Sequence, residues 1–149
     1  MALFGIIGIG NMGYPLLKAA IRTFGTTEVV YTDASEGRRE ALEKETGIPS
    51  LQNAVEVAKE CKYLLLAVKP QNFEQLLSVL KNVVSKEHII ISIAAGITID
   101  YIKNKLSQDI KIVRAMPNTP ALVDSGMTGI CYSNDTFTEE EQAVIGRFF

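Results

Sequence analysis

Histidine occurs once, cysteine twice and tryptophan not at all in these 149 residues, and neither sign of charge is in large excess. Cys61 and Cys131 are too few and too isolated for a disulfide framework or a thiolate metal site, and both read as reduced structural thiols. The lone His88 stands at the entry to Ile89-Ile90-Ile91, the place of a half-exposed strand-end residue rather than a catalytic base. Histidine catalysis and histidine-based metal sites are therefore set aside. No paired carboxylates, Ser/His/Asp set or Cys/His pair stands out, so hydrolytic and nucleophilic mechanisms lack support. A net charge of -2 with 21% charged residues offers no basic surface to nucleic acid or to an acidic membrane. The longest apolar runs, 63–68 and 89–97, are far shorter than a bilayer span, and no basic stretch precedes the first apolar run. The expectation is a cytoplasmic protein with no export or membrane signal. Low-complexity stretches, Ser/Pro-rich linkers and internal repeats are also missing, which leaves one domain as the starting assumption.

What is present is a 47% hydrophobic chain, long enough to bury a core, in which strand-like and helix-like periods alternate from end to end. That alternation predicts a Rossmann-like, doubly wound α/β fold: a mostly parallel sheet with helices on both faces. Strands are expected at 3–8, 28–33, 62–68, 88–95, 110–115 and 126–133. Helices are expected at 12–24, closed by Gly25, and at 36–45, capped by Ser35 and closed by Gly47. Further helices follow at 54–60, 72–84 and 99–106, and a last one opens on Thr138-Glu139-Glu140-Glu141. Residues 116–120, Met-Pro-Asn-Thr-Pro, read as a rigid loop that neither helix nor sheet holds. Phe148 and Phe149 end an unfinished helix, where bare rings need cover. This leads to the expectation that the chain is the first domain of a longer protein.

The first strand runs directly into Gly8-Ile9-Gly10-Asn11-Met12-Gly13, a G-x-G-x-x-G turn opening a helix. Gly8 permits the tight turn, Gly10 lets a pyrophosphate approach the backbone, and Gly13 lets the helix press on the sheet. The helix N-terminus adds free N–H groups and a partial positive charge. Asp33, twenty residues after Gly13, stands where an acidic residue accepts hydrogen bonds from the adenosine ribose. Ser35, Arg38 and Arg39 follow it and suit the extra phosphate of NADP, so NADH and NADPH both stay open. The two arginines also fit a plain solvated helix face. Ala67-Val68-Lys69-Pro70 and Ala94-Ala95-Gly96 each follow a strand at the edge where ligands of open α/β sheets collect. As a solvated cation and a simple turn, they have bland readings too. Met116-Pro117-Asn118 comes to the same edge with a proline-fixed asparagine, either a preformed polar ligand or an Asx-type turn.

In this order, GIGNMG, AVKP, SIAAGI and VRAMPNTPA resemble the amino-terminal half of the pyrroline-5-carboxylate reductases, and the resemblance covers essentially the whole chain. The first motif also resembles 6-phosphogluconate and 3-hydroxyacid dehydrogenases, which do not pair it with the later ones. A dinucleotide-binding module without chemistry is the alternative from another class. The resemblance implies reduction of the ring C=N of 1-pyrroline-5-carboxylate to proline, a step of proline biosynthesis, by NADPH or NADH. It gives the pyrophosphate to Ile9, Gly10, Asn11 and Met12, the adenosine ribose to Ser35 and its neighbours, and the nicotinamide half to Ala67, Val68, Lys69, Pro70, Ala94, Ala95 and Gly96. Met116, Pro117 and Asn118 would shape the hydride-transfer end. Asn53 lies one position out of step with an asparagine often found in the family. The resemblance further implies an absent helical domain that forms a homo-oligomer built on a dimer and supplies the proton donor, so the chain alone is expected to bind cofactor with little or no turnover.

Overall fold

The computed structural model describes residues 2–117, 128–133 and 135–149. They form one six-stranded sheet from β1 (Ala2–Ile7), β2 (Val29–Thr32), β3 (Cys61–Leu66), β4 (Ile89–Ser92), β5 (Lys111–Pro117) and β6 (Thr128–Tyr132). The strand order is β2-β1-β3-β4-β5-β6. The first five strands run parallel and β6 pairs antiparallel with β5. The crossovers are α1 (Gly13–Phe24), α2 (Glu36–Thr46), α3 (Ala54–Lys59), α4 (Phe73–Leu80) and α5 (Ile99–Lys105), and α6 (Glu139–Phe148) follows the sheet. This is the expected Rossmann-like arrangement. Among the described residues, no helix is long and apolar enough to cross a membrane.

Successive side chains of a strand point to opposite faces, and both faces here are covered, so the strands read as unbroken apolar runs. On one face Phe4, Ile6, Tyr63, Leu65, Ile89 and Ile91 pack with Leu16 and Leu17 of α1 and Ile145 and Phe148 of α6. On the other, Leu64, Leu66, Ile90 and Ile112 pack with Val57 of α3, Phe73 and Leu77 of α4 and Ile102 of α5. Each fully buried large side chain contributes roughly 1.5–3 kcal/mol.

Local signals fix the helix starts. Ser35 Oγ accepts the Arg38 N–H at 3.2 Å, Asn53 Oδ1 accepts that of Glu56 at 3.0 Å, and Thr98 Oγ1 accepts that of Tyr101 at 3.0 Å. Thr138 and Glu141 form a reciprocal capping box at the head of α6. Glu141 is also buried, and its carboxylate accepts from Lys111 Nζ at 2.7 Å and faces Lys62 Nζ at 3.3 Å. Burial pushes this carboxyl up, but the bonds from Lys111, the Thr138 N–H and Lys62 outweigh it and bring the pKa down to about 2.

The structure corrects several sequence-based expectations. Met116 and Pro117 belong to β5, paired with Gly129 and Thr128 of β6. β4 ends at Ser92 opposite Arg114, so Pro117 has a strand on one side only and its missing N–H is tolerated. β3 stops at Leu66, where its partners Ile7 and Ser92 also stop, four residues before Pro70. A 3-10 turn, Pro70–Asn72, leads into α4, which ends at Leu80 in turns closed by the Val83 and Val84 N–H groups on the Leu80 carbonyl. The terminal rings have their own cover. Phe148 is only 4% exposed and lies 4.9 Å from Phe4 and 6.4 Å from Phe24 between ring centroids, while Phe149 packs on Phe148 at 4.6 Å.

Candidate functional site

Because β1 to β5 are parallel, everything that follows them emerges at one edge. The crossovers from β1 lead outward to β2 and the later ones to β3, β4 and β5, so the strand order reverses between β1 and β3. Ligands of open α/β sheets bind in the crevice at such a reversal. The glycine turn sits there, with the Ala67 N–H donating to the Ile7 carbonyl at 2.9 Å.

The three glycines have distinct tasks. Gly8 has φ 94°, and a Cβ on it would lie 2.9 Å from Val68 Cγ1. On Gly13 a Cβ would fall 1.9 Å from the Gly8 carbonyl oxygen, so α1 packs this closely only with glycine. On Gly10 it would meet nothing among the described residues within 4 Å. Gly10 thus leaves open space above the turn, and the N–H groups of Gly10, Asn11 and Met12 donate to no described residue. Free donors at the positive end of a helix, with room above them, make a seat for a phosphate. The residues present fit a dinucleotide pyrophosphate.

Ile9 departs from its expected part. Its side chain is fully buried, and its N–H donates to Asp33 Oδ2 at 2.7 Å. Asp33 in turn departs from a purely outward role, since Oδ1 accepts the Ser35 N–H at 2.9 Å. Arg39 Nη1 donates to the Asp33 carbonyl at 2.7 Å, leaving Arg38 as the exposed guanidinium with no partner among the described residues. Ser35, Arg38 and the head of α2 therefore flank the turn on its β2 side.

On the β3 side, Ala67 and Val68 are half-buried and Lys69 and Pro70 exposed. Beyond them come Ala94, Ala95 and Gly96, the last with φ 78°. Ser92, buried at the tip of β4, accepts the Ala94 N–H on Oγ at 3.3 Å and fixes the start of that turn. Met116, 54% exposed, reaches the same edge, and Pro117 ends β5. Asn118 lies outside the described residues. The sequence offers a short segment near 48–51 ahead of α3, and the structure holds it beside β2: Thr32 Oγ1 donates to the Leu51 carbonyl at 2.7 Å and Leu51 N–H to the Tyr31 carbonyl at 2.9 Å. This brings Asn53 near the edge, with its Oδ1 engaged as the cap of α3.

The residues set aside from chemistry have structural partners. His88 Nε2 donates to the Ala58 carbonyl at 2.8 Å while Nδ1 accepts the Ser85 N–H at 3.1 Å. Burial, with Glu60 adding to it, pushes the Cys61 thiol up to about 12. Among the described residues, no group of three or more His, Cys, Asp and Glu could hold a metal ion.

Known proteins match this geometry. The Escherichia coli K12 pyrroline-5-carboxylate reductase is 38% identical over 148 residues, 97% of this chain and 54% of its own length. The Coxiella burnetii pyrroline-5-carboxylate reductase structure superposes with a TM-score of 0.88 at 26% identity, covering 99% of this chain and 55% of that one. The Plasmodium falciparum pyrroline carboxylate reductase, solved with NADP bound, gives 0.83 at 26% identity over 99% of this chain and 54% of that one. The chain spans about half the length of the curated relatives it matches. The sequence profile of the family described as NADP oxidoreductase coenzyme F420-dependent matches residues 3–96. By its glycine turn, its sheet and this match over most of its length, the chain belongs to that NADP oxidoreductase family.

Proposed function

We propose that these residues are the cofactor-binding part of a pyrroline-5-carboxylate reductase, using NADPH or NADH to reduce 1-pyrroline-5-carboxylate to proline. The observation that carries this reading is the 38% identity to the Escherichia coli reductase across 97% of the chain, at an edge whose free N–H groups and open Gly10 suit a dinucleotide. When bound, the nicotinamide supplies the hydride. The chain's own residues bind and orient. The N–H groups of Gly10, Asn11 and Met12 take the pyrophosphate at the head of α1. Ser35 and Arg38 flank the adenosine end, where a guanidinium suits a ribose phosphate. Small residues at Ala94, Ala95 and Gly96, with Ala67 to Pro70, leave a flat surface for the nicotinamide half, and Met116, Pro117 and Asn118 border the substrate.

Hydride transfer needs a fixed approach and exclusion of water. An open edge on a single domain supplies the first and not the second. On this reading the rest of the pocket, the proton donor and a dimer are supplied by residues outside these 149. The test is to incubate the 149-residue chain with NADPH or NADH and pyrroline-5-carboxylate, beside the full-length Escherichia coli relative. The reading predicts saturable dinucleotide binding with little or no proline formed by the chain. Turnover equal to that of the full-length relative, or no dinucleotide binding at all, contradicts it.

A further inference from the structure

The carboxylate of Asp33 bridges two loops that lie far apart in sequence. Oδ2 takes the Ile9 N–H at 2.7 Å across a separation of 24 residues, and Oδ1 takes the Ser35 N–H at 2.9 Å. The Asp33 carbonyl is itself held by Arg39 Nη1 at 2.7 Å. The backbone beneath is tied as well, since the Gly8 N–H donates to the Thr32 carbonyl at 3.0 Å. The Gly8 to Gly13 turn and the Ser35 to Arg38 corner are thus joined through one half-buried side chain. Among the described residues Asp33 Oδ2 is the acceptor of the Ile9 N–H, and the Ile9 side chain anchors in the core.

Resting on the cofactor reading above, we propose that Asp33 is a positioning residue for the dinucleotide site and does not choose between NADH and NADPH. Its carboxylate turns the Ile9 N–H inward, which leaves the next three N–H groups facing outward for the pyrophosphate. The same side chain sets the start of α2, and with it the hydroxyl of Ser35 and the exposed guanidinium of Arg38. An acidic residue reaching for the ribose hydroxyls would favour NADH and repel the extra phosphate of NADPH. A carboxylate answered by two backbone N–H groups instead supports both cofactors through the geometry of the turn.

The test compares the 149-residue chain with Asp33→Ala and Asp33→Asn by calorimetric titration with NADPH and with NADH. It also follows the Ile9 amide proton by NMR. Losing a charge-assisted bond at this turn should weaken both dinucleotides in Asp33→Ala by about tenfold. The ratio of the two affinities should stay within about twofold, because the effect acts through the shared pyrophosphate seat. Asp33→Asn, which keeps one acceptor, should fall between, and it serves if the alanine variant folds poorly. The Ile9 amide proton should lie downfield in the parent chain, stay there when NADPH is added, and move upfield in Asp33→Ala. A swing in the ratio toward NADPH by more than about fivefold in either variant, or an Ile9 amide unmoved by the substitution, overturns the inference while leaving the cofactor reading intact. Failure of the parent chain to bind either dinucleotide is the separate result that removes the cofactor reading itself.

Discussion

At Gly13 the absence of a side chain is a packing requirement, because a Cβ there would stand 1.9 Å from the Gly8 carbonyl oxygen. Backbone cannot yield as a flexible side chain does, so Gly13→Ala should destabilise the chain by roughly 1–3 kcal/mol, the usual range for overpacking. In a domain of this size, a fall in Tm of roughly 2–10 °C by calorimetry is the expected result, and an unchanged Tm would show that α1 is not pressed on the turn. At this scale the glycine turn was legible in the sequence, since its spacing between an apolar strand and a helical pattern assigns the tight turn, the open approach and the close helix. The partner of Asp33 was not, because its bond to Ile9 joins loops 24 residues apart and no local pattern announces it. Sequence pointed Asp33 toward the ribose; the fold turns its carboxylate onto the backbone. The same holds for Arg39, which reads as a phosphate ligand beside Arg38 until its bond to the Asp33 carbonyl is seen.

Among the elements, α6 carries the clearest electrostatic signature. Its Thr138 and Glu141 cap was readable from the acidic first turn, but the burial of Glu141 between Lys111 and Lys62 depends on strands that begin far away in sequence. With the carboxyl held at about 2, against an ordinary 4.5, the native state binds its proton later than the unfolded chain does. Stability from this group is therefore complete above pH 4.5 and is lost as pH falls toward 2. The shift corresponds to on the order of 3 kcal/mol for a nearly buried group. Glu141→Gln should lower stability at neutral pH by a comparable amount and flatten the acid limb, read from urea unfolding midpoints at a series of pH values. An acid limb identical in the variant would show that other carboxylates set it. Strand ends were the least readable feature of the elements. β3 stops with its neighbours rather than at the proline, and β5 carries Met116 and Pro117 because β6 pairs beside them.

For the whole molecule, alternating periods were enough to give the doubly wound fold, since a sheet covered on both faces leaves a strong apolar run at every strand. The parallel order then gathers the ends of five strands, and the motifs behind them, along one edge, with the glycine turn at the reversal between β1 and β3. The chain spans about half the length of its curated relatives. The central claim is that this edge seats a dinucleotide by its pyrophosphate on the glycine turn. Gly10 isolates it, because a Cβ there meets no atom of the described residues within 4 Å and would fill only the open space above the turn. The most direct test is calorimetric titration of NADPH into the chain and into Gly10→Ala, with the Tm of each recorded. The claim predicts equal Tm values and binding weakened by about tenfold or more in the variant; equal affinity in the two proteins would contradict it.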